Sequence, residues 1–195
     1  MKKLLGPIGA VMMTFGFAGT SWATLYNVND AVGAGSVTGT IQTDGDIGAL
    51  TTADIVNWNL HLSDGTNSFD LVGPPSASDA TTVVGTSFTA TASGLFFDFS
   101  SSTGSFVEFR NPASGSAANY LCLQDASPQC SSALGGSDFV VRVDPDSEIN
   151  MSESGNVEVA TLAVPEPASI AVLLAGLAGL GFFRRRKVTS GWRSR

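Results

Sequence analysis

Val56-Asn57-Trp58-Asn59-Leu60-His61-Leu62 alternates apolar and polar residues without a break. Successive side chains of a strand point to opposite faces. Val56, Trp58, Leu60 and Leu62 therefore share one face, and Asn57, Asn59 and His61 share the other. Ser63-Asp64-Gly65-Thr66-Asn67 then reads as a turn, and 69–72 as the returning strand.

The same short alternation recurs in both directions. Strands are expected over 36–43, 81–84, 87–91, 95–99, 105–110, 119–124, 139–143 and 157–162. Residues 144–163 turn polar and read as this last strand with a short spacer. Residues 51–55 suit one short helical turn. About nine or ten strands separated by Gly, Ser, Thr and Asp-rich turns predict an all-β sandwich, jelly-roll or immunoglobulin-like. Its expected core is Trp58, Leu60, Leu62, Leu71, Leu95, Phe97, Phe99, Val107, Phe109, Leu121, Leu123, Phe139, Val141 and Val143. Phe96 and Phe106 sit on faces that conflict with their neighbours. Either is a second-sheet contact or an exposed aromatic.

The two ends have a different character. Met1-Lys2-Lys3 precedes an apolar stretch over 4–18, and Ser21-Trp22-Ala23 places small residues where a signal peptidase inspects them. This is a secretory signal over 1–23, cleaved after Ala23. An uncleaved anchor helix is the alternative, disfavoured by the short stretch and by Gly6, Pro7, Gly9 and Gly16.

At the other end, Val164-Pro165-Glu166-Pro167 leads into an uncharged run over 168–183, followed by Arg184-Arg185-Arg186-Lys187. A helix over that run is about 24 Å long at ~1.5 Å per residue. A bilayer core is about 30 Å thick, so the run is short for a permanent span. Snorkelling of the basic cluster helps to close the gap. The cluster stays cytoplasmic, which puts everything before Pro165 outside. The prolines flanking Glu166 cannot continue a helix and hold the motif extended.

Motif, apolar helix and arginine cluster in this order resemble the PEP-CTERM sorting signal, over residues 164–187. The resemblance implies an exported protein of a Gram-negative bacterium that makes extracellular polysaccharide. It implies recognition and processing by the membrane enzyme exosortase, which adds to signal peptidase as a processing partner. An ordinary C-terminal membrane anchor is the plainer alternative. The tail 188–195 departs from the family, which usually stops soon after the basic cluster; it reads as cytoplasmic. The stretch 39–72, with Thr-Asp-Gly-Asp-Ile-Gly, Ala-Asp-Ile, Trp58-Asn59-Leu60 and Ser-Asp-Gly-Thr-Asn, resembles a β-rich ectodomain that recurs in PEP-CTERM proteins.

Between the labels lies one domain, 24–163, long enough for a real core. Its charge differs sharply from the chain's −7. Only Arg110 and Arg142 remain against sixteen carboxylates, a formal net charge of −14. Such a surface repels nucleic acid and other polyanions and attracts divalent cations. Cys122 and Cys130 are the only cysteines, and an oxidising compartment predicts that they pair.

Candidate chemistry is sparse. Asp44-Gly45-Asp46 is a candidate calcium pair, joined by Asp64 or Asp54. Asp-Gly is equally a hairpin turn, and 144–148 is a second acidic loop. His61, the only histidine, would have to serve any Ser-His-Asp triad, yet it lies on the polar strand face and no Gly-x-Ser-x-Gly is present. One histidine and two paired cysteines do not make a zinc set. The expectation is a non-enzymatic surface or matrix component that meets polysaccharide. A calcium-assisted glycan-binding module and, further off, a surface hydrolase are the alternatives.

Overall fold

The computed structural model describes residues 23–75, 78–113, 118–125, 130, 136–143 and 148–163. The described residues form thirteen strands and one 3-10 turn. The strands are β1 (Thr24–Val32), β2 (Gly35–Thr43), β3 (Gly48–Ala49), β4 (Ile55–Ser63), β5 (Ser68–Val72), β6 (Ala80–Val84) and β7 (Phe88–Ala90). They continue as β8 (Gly94–Asp98), β9 (Phe106–Asn111), β10 (Asn119–Gln124), β11 (Asp138–Arg142), β12 (Glu148–Ser152) and β13 (Asn156–Leu162). The 3-10 turn, Thr52–Asp54, falls inside the expected helical turn.

Two antiparallel sheets result. Sheet A runs β3-β7-β8-β13-β1-β2-β4-β5, and sheet B runs β12-β11-β10-β9-β6. The first and last strands are neighbours in the middle of sheet A, with Tyr26 opposite Leu162 and Asn27 opposite Thr161. Their inner faces close one core, and all fourteen residues expected there are buried in it. Trp58 of β4 meets Phe109 of β9 edge to face, with ring centroids 5.5 Å apart, and so links the two sheets.

Three strands escape the sequence pattern. β1 carries Asp30 in line with inward Tyr26, Val28 and Val32, which interrupts its apolar face. β3 is only two residues long. β12 shows just Ile149 and Met151 between polar residues, so 144–163 holds two strands rather than one. The face of Val56 also changes. The β2–β4 register shifts between Gln42 and Thr43, which leaves Val56 37% exposed and buries Ile55 in its place. Phe96 turns outward between the buried Leu95 and Phe97. Phe106 packs on a second small cluster outside sheet B, made of Ala118, Tyr120, Cys122 and Val140.

Candidate functional site

The first and last described strands meet at one place in the fold. β1 starts at Thr24, directly after Ala23. β13 ends at Leu162, and the amide of Ala163 still donates to the carbonyl of Leu25 at 2.9 Å. The sorting segment therefore leaves the sandwich from its central strands, with no linker between the last core strand and the motif. Val164, Pro165, Glu166, Pro167, the run 168–183 and Arg184, Arg185, Arg186 and Lys187 lie outside the described residues. Among those described, no helix is long and apolar enough to cross a membrane.

Cys122 and Cys130 form a disulfide with Cα atoms 5.8 Å apart. Gln124, fully buried, anchors the same loop. Its Oε1 accepts from the amide of Cys130 at 2.9 Å, and its Nε2 donates to the carbonyl of Gly136 at 3.2 Å. Nothing in the local pattern distinguishes Gln124 from a solvated strand end, so sequence reasoning passes over it. Next to it the carboxylate of buried Asp125 accepts from the hydroxyls of Ser101 and Thr103 and from the amides of Thr103 and Gly104. This pins the β8–β9 loop onto the end of β10.

Residues 144–147 of the second acidic loop lie outside the described residues, and the other candidate carboxylates sort into two places. Asp44, Asp46 and Asp54 present carboxylate oxygens within 4.8 Å of one another. The loop after β2 is tied to the 3-10 turn by a bond from the Asp44 amide to the Asp54 carbonyl at 2.9 Å. Asp54 Oδ2 also accepts from the amide and hydroxyl of Thr51 at 2.6 and 2.9 Å. Asp64 does not join them. It lies beyond the end of the β2–β4 ladder where Ser36 pairs with Ser63, opposite the end where Thr43 pairs with Ile55. Its carboxylate closes its own turn, accepting from the amides of Thr66 and Asn67 at 2.7 and 2.6 Å. The third carboxylate of the cluster is thus Asp54, which a Thr-x-x-Asp capping pattern marks in the sequence.

His61 is exposed and its Nδ1 lies 2.6 Å from Asp70 Oδ1, its direct cross-strand partner on β5. Both arginines of the domain lie in one row outside sheet B, where Arg110, Tyr120, Arg142 and Glu148 stand opposite one another. Tyr120 donates to Glu148 at 2.6 Å. Burial first, and then that hydrogen bond, push its hydroxyl pKa up. Burial likewise raises Glu108, with Arg110 beside it pulling the other way.

Residues 163–187 match the family model of the PEP-CTERM protein-sorting motif. Comparison with curated proteins and with solved structures finds no match to the chain. The chain carries an exosortase sorting signal behind an all-β sandwich. That motif implies export, processing by exosortase, and a membrane-held stage before the cell surface of a Gram-negative bacterium.

Proposed function

We propose that the sandwich is a non-enzymatic structural or interaction component of the extracellular polysaccharide matrix. The observation that carries this reading is the sorting motif placed directly behind the final core strand. A rigid, acidic, disulfide-stapled unit presented this way suits a matrix protein. The test is fractionation of the host. The wild-type protein is expected to sediment with purified matrix and to pass into the medium when polysaccharide synthesis is removed. An unchanged distribution in that host overturns the reading.

A second reading, a calcium-assisted module, is favoured by the approach of Asp44, Asp46 and Asp54. Calcium takes six to eight oxygens, so loop carbonyls and water would complete the shell. A ligand at about 100 times its Kd stabilises a fold by about 2.7 kcal/mol. Calcium is therefore expected to raise the melting temperature by several degrees over chelator. Asp54→Asn is expected to remove the difference, and identical melts in calcium and chelator eliminate this reading.

A further inference from the structure

The β1–β13 ladder stops after two pairs. β1 runs on beside β2 as far as Val32, opposite Gly35. β13 shifts register between Glu158 and Ala160 and follows β8 instead. The two strands part as a fork in the middle of sheet A. The fork opens a groove of about 260 Å³, lined by Asn27, Asn29, Asp30, Glu158 and Thr161 among others.

Three features decide what suits this groove. Asp30 Oδ2 is buried and has no hydrogen-bond partner. An unsatisfied buried acceptor is costly, and among the described residues no cation relieves it: the charges that bear on Asp30 are those of Glu153 and Glu158. Whatever fills the fork must donate hydrogen bonds, and anionic groups are repelled. Next, the exposed rim combines the Glu158 carboxylate with neutral amides and a hydroxyl, from Asn27, Asn29 and Thr161. The amides and the hydroxyl both donate and accept. Finally, Phe96 stands directly across the β13–β8 ladder from Glu158. It is half-buried on the outer face, whereas its neighbours Leu95 and Phe97 are buried in the core. It is an apolar outer-face side chain one strand away from the groove, next to Glu158.

A sugar ring has this complementary make-up, with hydroxyl donors around its edge and an apolar C–H face. We propose that the β1–β13 fork binds a neutral saccharide unit. Asp30, reached at the floor of the fork, and Glu158 on its rim accept its hydroxyls, Asn27 and Asn29 on the outer face bridge them, and Phe96 packs against its apolar face. The volume lies below the ~300–1,000 Å³ of typical small-molecule pockets, so one ring enters and a longer chain continues over the open face. There Thr40 and Asn59 extend the row begun by Asn27. The inference rests on the matrix reading above and narrows it to one site and one sugar class.

The test is retention of the exported protein, recovered from its host, on immobilised dextran, galactomannan and alginate. The first two are neutral and the third is a polyuronate. Retention on at least one neutral polymer and none on alginate is expected. Asn27→Ala combined with Asn29→Ala changes two exposed side chains. The pair is expected to weaken that retention about tenfold, the loss of one or two neutral hydrogen bonds, with an unchanged melting temperature. Phe96→Ser provides a second, independent probe of the groove and is expected to weaken retention as well. Equal retention of wild type and both variants overturns the site while leaving the matrix reading intact. Retention on alginate, displacement by spermidine but by no neutral oligosaccharide, or no retention on any neutral polymer also overturns it. The fractionation experiment judges the matrix reading separately.

Discussion

Asp30 is a carboxylate on the core side of a strand, between Val28 and Val32. Burial first, and then repulsion from Glu153 and Glu158, push its pKa up from 3.8 to about 6. The folded state therefore binds this proton more tightly than the unfolded chain. Between about pH 4 and 6, acidification stabilises the fold through this group, and above pH 6 the ionised carboxylate costs stability. Asp30→Asn is accordingly expected to raise the melting temperature at pH 7.5. The gain is about 1 kcal/mol once partial exposure is allowed for, or roughly 2–4 °C. It is expected to vanish near pH 4, where the wild-type side chain is already neutral. Melts of both proteins across pH 4–8 check this, and a pH-independent difference contradicts it. The same residue explains why β1 is illegible in the sequence. Tyr26, Val28 and Val32 make a clean inward face only if an aspartate is allowed among them. The fourteen expected core residues, twelve in other strands and Phe99 and Val143 just past strand ends, meet no such interruption, and alternation places them correctly. Asp54 and Asp64 are both aspartates beside a turn; the Thr51-x-x-Asp54 capping pattern singles out Asp54 as a cap, and the direction of the β2–β4 ladder shows that it is the one that reaches Asp44.

Elements in this fold are set by backbone demands as well as by apolar pattern. Gly39 lies mid-strand in β2 between Val28 and Leu60, at φ +133, and a Cβ there would come within 2.0 Å of the Asn59 carbonyl oxygen. A side chain at this point has to push two central strands apart. Gly39→Ala is therefore expected to destabilise by about 3 kcal/mol or more, measured by denaturant unfolding. The disulfide acts on a different element, the loop that leaves β10. Closing so short a loop is worth about 2.6 kcal/mol in the chain-entropy model. Cys122→Ala with Cys130→Ala is expected to lose about that much. Gln124 still holds the loop by its two side-chain bonds, so the double variant is expected to stay folded. Spacing and compartment make the cysteine pair legible beforehand. The Gln124 bracket and the bulge that exposes Val56 are not, because both depend on how a neighbouring segment folds back rather than on alternation within the strand.

At the scale of the whole molecule, the fold closes with its ends. β13 is the strand that joins β8 to β1, so sheet A stays in two pieces until residues 156–162 are in place. Long-range pairing of this kind is completed late. The exported chain cannot finish its core before the segment next to the sorting motif has emerged. Sorting and folding thus meet within a residue or two, yet truncation can separate them. A chain ending at Ala163 keeps β13 and its bond to Leu25. In the host it is expected to be protease-resistant but to be lost from the cell surface into the medium. A chain ending at Gly155 lacks β13, which leaves the buried Val159 and Ala160 out of the core and frees edges on both β1 and β8. It is expected to be degraded before it reaches the medium. Limited proteolysis and immunoblots of cell and medium fractions read both outcomes. Resistance of the shorter chain contradicts the closing role of β13, and surface retention of the longer one contradicts sorting through 163–187. A Glu166→Ala chain, with β13 intact, is expected to behave like the longer truncation in folding and to fail only in processing.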